Sequence, residues 1–436
     1  MDKQKWETRP LEIWARAKAL RAQWQDSIDE TDQILAHGNV GDVDWGVGFP
    51  RLNVIEDNPV GAYMQSVDSA FSREARLASE VRGWGREICG YVNDCWGCQF
   101  LGRELGGLPF PYRQLVVPFP DPCDQHTKRG QQCMDLSGIP RWGNDWPLYL
   151  GGDDPKRDKE MIEHKVFCTL QVINGIERAI GLEYDDEKFI ETLRNREKME
   201  EYGLEIARLM THIPAPIGLK ELYSFYTMGS LTKLDPAETL DFWKSFVDEI
   251  KWRVDNNIAA VGNERYRWME AHPSPWHYLK YFRYMEEYGA VCVGSQYSHL
   301  GAGPIELRED GILYRRNLRA PEKSFDEVRT REDAIRYIVT EARGHRFKDD
   351  EYFRKNQITD FAKAFHVNGA IMALWRCGVG CTLTRKEQGL RLKSIGVNVL
   401  HHEGSQPGDR TDMDENRFLD LLDVWMESQG LNKLLN

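Results

Sequence analysis

Residues 288–297 read Tyr-Gly-Ala-Val-Cys-Val-Gly-Ser-Gln-Tyr, and the short apolar run at 290–294 predicts a buried strand. Two more runs of this kind, at 369–374 and 397–401, predict two further strands. Short apolar strands that alternate with helices are typical of a parallel sheet, so the sequence predicts an α/β lobe over residues 271–436. The periodic segments that predict its helices lie at 276–288, 333–343, 350–365, 382–394 and 415–428.

The rest of the chain divides into three segments that differ in charge and in the pattern of apolar residues. Residues 80–185 combine an amphipathic run with the apolar run at 115–117, and they predict a first α/β lobe. Residues 186–270 are charged and periodic, which predicts a helical middle segment. Residues 1–79 predict a helical and irregular N-terminal segment, because a helix precedes a Gly-rich stretch at 37–58. The predicted fold class is α/β, with two parallel-sheet lobes of the Rossmann or flavodoxin-like kind.

The composition excludes several classes of partner. With 57 Lys and Arg against 69 Asp and Glu, the 436-residue chain has a formal net charge of −12, which repels nucleic-acid phosphates. The first residues lack the apolar core of a secretory leader and no apolar run reaches about 18 residues, so we expect a cytoplasmic protein without membrane spans. The sequence has no Gly-Lys-Ser/Thr phosphate loop and no complete dinucleotide fingerprint, so we expect no ATP site on this chain.

Three of the nine cysteines stand where ligands of a cofactor are expected in open α/β sheets. Cys89 begins a predicted helix, Cys123 follows the apolar run at 115–117, and Cys377 closes a predicted strand. Such places correspond to the crevice at the carboxyl ends of strands, where helix N-termini favour anions and thiolates. Three thiolates that converge there are able to hold a cubane iron–sulfur cluster and leave its fourth iron open. The alternative interpretation is that each cysteine is a small buried hydrophobic residue.

Several stretches resemble, in their order and spacing, the cluster-bearing subunits of benzoyl-CoA reductases and (R)-2-hydroxyacyl-CoA dehydratases. The resemblance covers about residues 80–430 and is strongest to the larger cluster-bearing subunit of the ATP-dependent benzoyl-CoA reductases. It is carried by Glu87-Ile-Cys89-Gly-Tyr91-Val, by Leu115-Val-Val-Pro with Pro122-Cys123-Asp124, by Arg265 to Met269 with Pro275-Trp276, by Tyr288 to Tyr297, by Asn368-Gly-Ala-Ile running to Cys377, and by Glu403 through Asp409-Arg410 to Phe418.

The resemblance implies a [4Fe-4S] cluster between the two lobes, bound by Cys89, Cys123 and Cys377. Cys381 lies four residues past Cys377 and is the alternative third ligand. The spacing from Cys377 to the next strand fits the family better, so Cys377 is preferred. Cys95-x-x-Cys98 is not part of the family pattern, and it marks either a variant cluster or two small residues on one face of a helix.

The resemblance also implies an acyl-CoA substrate, a homologous subunit with a second cluster, and a separate ATP-hydrolysing iron–sulfur protein that receives electrons from ferredoxin. The leading expectation is an oxidoreductase subunit that dearomatises benzoyl-CoA or a related aromatic acyl-CoA. The alternatives are a subunit of an (R)-2-hydroxyacyl-CoA dehydratase that eliminates water by a ketyl-radical mechanism, a homodimeric relative that reduces small molecules, and a non-catalytic electron carrier. The enzymatic chemistry needs a proton donor. His126 and Glu403 are the candidates, and an ordinary capping histidine and a solvated loop carboxylate are the other interpretations of these two residues.

Overall fold

The computed structural model describes the chain in segments. The described residues are 5–29, 34–38, 44–50, 52–56, 68–85, 88–103, 115–116, 128, 135, 142, 155–225, 235–270, 278–295, 305–315, 324–340, 357–374, 385–403 and 414–434. Within these segments lie the strands β1 (Ile34–Gly38), β2 (Leu52–Glu56), β3 (Leu115–Val116), β4 (Tyr266–Glu270), β5 (Ala290–Ser295), β6 (Ile305–Leu307), β7 (Leu313–Arg315), β8 (Gly369–Leu374) and β9 (Asn398–Glu403).

The helices of the same segments are α1 (Trp14–Asp29), α2 (Ser69–Glu80), α3 (Gly90–Leu101), α4 (Pro155–Ile180), α5 (Asp186–Leu209), α6 (Leu219–Ser224), α7 (Pro236–Asp255), α8 (Lys280–Glu286), α9 (Arg331–Thr340), α10 (Gln357–Ala364), α11 (Arg385–Ser394) and α12 (Glu415–Ser428), with short 3-10 helices at Asp44–Gly48 and Phe325–Glu327. No helix in the described segments has the length and the apolar character of a membrane span.

The larger sheet is parallel and has the strand order β5-β4-β8-β9. The chain passes from β4 to β5 on one side, then crosses to β8 and β9 on the other side. This reversal creates a topological switch point between β4 and β8, and in open α/β sheets ligands bind in the crevice outside the carboxyl ends of strands at such a point. The parallel strands predicted for the C-terminal part of the chain are confirmed. The topology places the candidate ligand site at the ends of β4 and β8.

Helices cover both faces of this sheet. On one face, Met269, Val291 and Met372 pack with apolar side chains of α1, α5, α7, α10 and α11. On the other face, Trp268 and Ile371 pack with side chains of α6, α8 and α12. Because successive residues of a strand point to opposite faces, a shift of one residue would exchange the two sets of side chains. Burial on both faces therefore fixes the strand register and with it the residues that end each strand.

Strand β4 lies inside the segment that the sequence predicts as helical, and that prediction is wrong here. Its sequence, Tyr-Arg-Trp-Met-Glu, carries two charged residues, yet all five residues are buried. The guanidinium of Arg267 forms an ion pair with Glu264 at 2.7 Å. It also donates hydrogen bonds to the carbonyls of Phe365 and Met210. The nearby carboxylate of Glu264 and the two carbonyls from distant parts of the chain compensate the burial of a charge that composition alone assigns to the surface.

A second parallel sheet, with the order β2-β1-β3, lies in the N-terminal part of the chain. Two of its strands fall in or beside the stretch 37–58, which the sequence predicts as irregular, so this prediction is also wrong. The strands are short, with five residues each in β1 and β2, and this conceals them. Their parallel partner β3 is supplied by a distant part of the chain, and this pairing is not visible in local composition.

Candidate functional site

Cys89 is the N-cap residue of helix α3. Its carbonyl accepts the N–H groups of Val92 and Asn93, both at 3.0 Å, and so begins the helical hydrogen bonding. The side chain is 4% exposed and does not cap the helix. A thiol at this place lies beside the unpaired N–H groups and the positive end of the helix dipole, which favour a negative ligand. The predicted position of Cys89 at a helix start is thus confirmed.

The side chain of Cys89 packs in a small apolar cluster with Val92, Trp96 and Ala373. Ala373 belongs to β8, whose last residue is Leu374. The first turn of α3 therefore lies against the carboxyl end of β8, although the two are far apart in the chain. This contact brings Cys89 to the switch-point end of the larger sheet.

Four predicted site residues lie outside the described residues, namely Cys123, His126, Cys377 and Cys381. Cys377 follows the end of β8 by three residues in the sequence. Among the described residues, no three His, Cys, Asp or Glu side chains are grouped as metal ligands. Of the predicted ligands, Cys89 is the one that lies among the described residues. Its chemistry fits an iron–sulfur ligand, because it is a buried thiol among apolar side chains at a helix N-terminus.

The end of β9 lies beside the end of β8. His402 is in register with Ala373, and Glu403 is in register with Leu374. The imidazole of His402 contacts the ring of Phe418 in α12, with ring centroids 4.7 Å apart. The backbone of Glu403 thus ends a strand at the predicted edge, while its side chain lies outside the described residues.

A buried polar cluster, which sequence reasoning missed, lies at the ends of β4 and β5. Glu270 is 2% exposed, and its carboxylate accepts hydrogen bonds from the hydroxyls of Tyr223 and Tyr281, the latter at 2.9 Å. The Tyr223 hydroxyl also lies 3.2 Å from the hydroxyl oxygen of Ser295. We call Glu270, Tyr223, Tyr281 and Ser295 the Glu270 cluster. Its sequence signal is faint, since it consists of a glutamate that directly follows the family-like stretch at 265–269.

Burial sets the protonation of the Glu270 cluster. Loss of hydration raises the pKa of Glu270 well above its ordinary value, and the hydrogen bond from Tyr281 offsets only part of this effect. Burial likewise raises the pKa values of Tyr281 and of the neighbouring Cys292 thiol, and the nearby Glu270 carboxyl adds to both shifts. Burial thus favours the neutral form of all three groups, including the carboxylic acid form of Glu270.

The Glu270 cluster and Cys89 share one face of the sheet. Glu270 is in register with Ser295 on one side and with Ile371 on the other, and registered residues of a parallel sheet point to the same face. Ala373, which lies in the same apolar cluster as Cys89, follows Ile371 by two residues in β8, about 7 Å further along the strand. The buried carboxyl of Glu270, at the end of β4, and the buried thiol of Cys89, in the cluster at the end of β8, thus lie on the two sides of the switch point.

Aromatic side chains pack beside the Glu270 cluster. The Trp268 ring packs against the rings of Tyr281 and Phe282 at centroid distances of 5.7 and 5.1 Å. Trp268 and Tyr278 are fully buried, so these aromatic residues belong to the core, as expected for aromatic residues at helical spacing. Among the described residues, the indole nitrogen of Trp268 has no hydrogen-bond acceptor.

Cys95 and Cys98 lie one turn apart on α3 but pack in different clusters. Cys95 packs with the residues around Cys89, whereas Cys98 packs against Phe71 and Ala75 of the preceding helix region. The two side chains therefore serve different interfaces. Of the two interpretations of this pair, the structure favours small residues that allow close helix packing.

Comparisons with known proteins show which family the chain is similar to. The sequence profile of the family described as 2-hydroxyglutaryl-CoA dehydratase, D-component, matches residues 63–418. The chain is also similar to the (R)-phenyllactyl-CoA dehydratase alpha subunit of Clostridium sporogenes. The identity is 20% over 337 residues, which cover 76% of this chain and 74% of that protein. These matches confirm the resemblance to the 2-hydroxyacyl-CoA dehydratase family.

Proposed function

The chain belongs to the 2-hydroxyglutaryl-CoA dehydratase D-component family, and on this premise we propose that it is a cluster-bearing subunit of an enzyme that transforms an acyl-CoA by one-electron chemistry. One observation carries most of the weight: the buried thiol of Cys89, at the start of α3, lies in one apolar cluster with Ala373 at the carboxyl end of β8. The following residues of that strand's chain lead to Cys377. The packing thereby supports a ligand set drawn from both parts of the chain.

The residues proposed to hold a [4Fe-4S] cluster are Cys89, Cys123 and Cys377, with Cys381 as the alternative to Cys377. When bound, such a cluster supplies low-potential electrons and an open iron that acts as a Lewis acid. The protein's own contribution at Cys89 is the exclusion of water, because Trp96 next to it is fully buried. A dry environment strengthens the electrostatic effect of the helix N-terminus on the thiolate.

The partners proposed are a homologous cluster-bearing subunit and an ATP-hydrolysing iron–sulfur protein that receives its electrons from ferredoxin. The sequence contains no Gly-Lys-Ser/Thr phosphate loop, which is consistent with ATP hydrolysis on a separate chain. Such a division is chemically reasonable, because reduction of a thioester needs a more negative potential than nicotinamide cofactors provide.

Two reactions are candidates, and a separate observation favours each. The description of the family and the name of the Clostridium sporogenes relative favour elimination of water from an (R)-2-hydroxyacyl-CoA. The resemblance of the sequence to the larger cluster-bearing subunit of the ATP-dependent benzoyl-CoA reductases favours dearomatisation of benzoyl-CoA or a close analogue. A non-catalytic electron carrier is the remaining alternative, and it predicts a fully ligated cluster and no binding of acyl-CoA.

Turnover assays separate these candidates. The chain is co-expressed without oxygen with the homologous subunit and the ATP-hydrolysing protein encoded near it, and the complex is supplied with ATP and a low-potential reductant. (R)-Phenyllactyl-CoA and benzoyl-CoA are tested in parallel, and omission of ATP is the matched control. We expect ATP-dependent turnover of one of the two thioesters. Binding of neither thioester to a complex that contains its cluster would contradict the proposal and favour the electron carrier.

A further inference from the structure

We propose that Glu270 is the proton donor of this site, which gives its carboxylic acid proton to the anion formed when the bound acyl-CoA takes up one electron. This inference rests on the proposed function, since it requires an acyl-CoA at the carboxyl end of the larger sheet. It gives the role of proton donor to Glu270, whereas the sequence predicts His126 and Glu403 as the candidates for that role.

The position of Glu270 is the first argument. It is the last residue of β4, and β4 is one of the two strands that flank the switch point. A ligand in the crevice outside the strand ends therefore lies directly beyond it. The other flanking strand, β8, ends beside Cys89. A donor of electrons and a donor of protons would thus approach the same ligand from neighbouring strands.

The hydrogen bonds of Glu270 are the second argument. The hydroxyls of Tyr223 and Tyr281 donate to its two carboxyl oxygens, one to each. After the proton has left, these two donors stabilise the carboxylate, which makes transfer reversible at moderate cost. The Tyr223 hydroxyl, 3.2 Å from the Ser295 oxygen, continues the hydrogen-bonded chain to the end of β5. A new proton would return to Glu270 along this chain, which begins at the buried hydroxyl of Ser295.

The electrostatic environment is the third argument. Among the described residues, the groups that face Glu270 are the two tyrosine hydroxyls, the Ser295 hydroxyl and the Cys292 thiol, and none of these carries a positive charge. Burial raises the pKa of this carboxyl and favours its protonated form, and no cation among these described groups opposes that effect. An acid that is protonated at rest is what a reaction that creates negative charge requires.

The proton and the electron balance in both candidate reactions. The electron comes from a reduced iron–sulfur donor, and the proton leaves the O–H bond of Glu270. With a 2-hydroxyacyl thioester, the C–O bond breaks and the proton joins the departing hydroxide, so that water and a substrate radical result. With an aromatic thioester, a C–H bond forms on the ring and a radical remains there. In both cases Glu270 becomes a carboxylate and is later reprotonated.

Infrared difference spectroscopy tests the protonation and the contact together. The carbonyl stretch of a protonated carboxyl is measured before and after addition of benzoyl-CoA or (R)-phenyllactyl-CoA to the anaerobic complex. We expect the band to shift on binding in the wild type. The shift should be absent in Glu270→Gln and should persist in Glu221→Gln. Glu221 is a suitable control, because its pKa is also raised by burial while its carboxylate caps Gly218 at the start of α6.

Turnover gives the second readout. Removal of a general acid lowers rates by about 10²–10⁴-fold, so Glu270→Gln should lower kcat by that factor. It should change KM only slightly and leave the iron content unchanged. A purely structural Glu270 would instead alter stability and leave kcat of the folded fraction intact.

Each outcome of the spectroscopic and turnover experiments supports or contradicts the role of Glu270. If a thioester binds but the band does not move, or if Glu270→Gln keeps its kcat, the inference is wrong while the proposed function stands. If neither thioester binds to the loaded complex, the proposed function and this inference fail together. If Glu270→Gln does not fold, the wild-type band and its response in Tyr281→Phe, which removes one of the two hydrogen bonds, decide in its place.

Discussion

At the scale of single residues, the burial of Glu270 makes the stability of the protein depend on pH. Above the ordinary glutamate pKa of 4.5, this side chain ionises in the unfolded chain but keeps its proton in the folded protein, where its pKa is raised. The folded state then binds more protons than the unfolded state, so stability falls as the pH rises toward the folded pKa. Glu270→Gln cannot ionise. We therefore expect its unfolding free energy, relative to wild type, to increase by roughly 1 kcal/mol for each pH unit between the ordinary pKa and the raised pKa of the folded state.

Urea denaturation between pH 5 and pH 8 measures this trend, and Asp423→Asn provides a control whose difference from wild type stays flat over that range. Burial opposes the charge of Asp423, but hydrogen bonds from Tyr284, Tyr288 and Lys433 outweigh it and lower its pKa. The stabilisation by Asp423 is therefore present above its ordinary pKa of 3.8 and is lost as the pH falls through the lowered value. A flat difference between Glu270→Gln and wild type across the range would show that Glu270 is ionised in the folded protein.

The choice between Cys377 and Cys381 is a second prediction at this scale. The proposed ligand set requires Cys377→Ala to lose its iron while the fold, followed by far-ultraviolet circular dichroism, is retained. Cys381→Ala is the matched control and should keep both iron and turnover. The reverse pattern would move the third ligand to Cys381. Loss of iron in both variants would indicate a fourth protein ligand and favour the electron carrier.

At the scale of secondary-structure elements, the contact between α2 and α3 positions Cys89. The helices meet at Gly97, where an added Cβ atom would lie 1.9 Å from the carbonyl oxygen of Ala75. Gly97→Ala must push the helices apart, and we expect a loss of about 1–3 kcal/mol in unfolding free energy, as for other overpacked cores. Because α3 begins at Cys89, the iron content should fall as well.

Gly102→Ala separates this steric effect from backbone strain. Gly102 ends α3 with a φ of 68°, and nothing lies within 4 Å of an added Cβ atom. Only the cost of a left-handed residue is expected there, about 1 kcal/mol, with the iron content unchanged. Equal iron loss in both variants would contradict the role given to the helix contact.

The elements also show what local sequence can reveal. The helix Glu415–Ser428 and the strand Gly369–Leu374 begin and end where their apolar patterns predict. Strand β4 does not follow from its sequence, because the burial of Arg267 depends on an ion pair and on carbonyls from other elements. Glu270 is hidden for the same reason: its hydrogen-bond donor Tyr223 comes from α6, and only the fold brings the two together.

At the scale of the whole molecule, the N-terminal segment is fastened to α7. The guanidinium of Arg253 donates to the carbonyls of Arg9 at 2.9 Å and Pro10 at 2.6 Å, and Glu249 accepts from the backbone N–H of Ile13 at 3.0 Å. Arg253 and Glu249 are themselves paired at 3.3 Å, with the arginine buried. Arg253→Met leaves the glutamate without its partner, and we expect a loss of about 3–5 kcal/mol in unfolding free energy.

Urea denaturation and limited proteolysis of the N-terminal residues follow this change. Lys244→Met, in the same helix, is the control, since its pair with Asp248 is exposed and contributes little to stability. Unchanged protease resistance in Arg253→Met would show that the segment is held by the apolar contacts of α1 alone.

The sequence predicts the α/β class and the family, and it predicts Cys89 at a helix start, because these depend on local pattern. It does not predict that Cys89 meets β8 at Ala373, since that contact joins distant parts of the chain. It also places an irregular stretch where β1 and β2 pair with β3. The two lobes, the domain boundaries and the remaining cluster ligands stay predictions from sequence.

The most direct measurement is the iron and acid-labile sulfide content of protein purified without oxygen, for the wild type and for Cys89→Ser. Serine is a better N-cap than cysteine, so this variant should be at least as stable as the wild type if Cys89 only begins a helix. A cluster ligand at Cys89 predicts about four irons and four sulfides in the wild type, as in a [4Fe-4S] cluster, and little of either in a Cys89→Ser protein that remains folded. Wild-type protein that folds without iron, or Cys89→Ser that retains the full amount, would contradict the assignment.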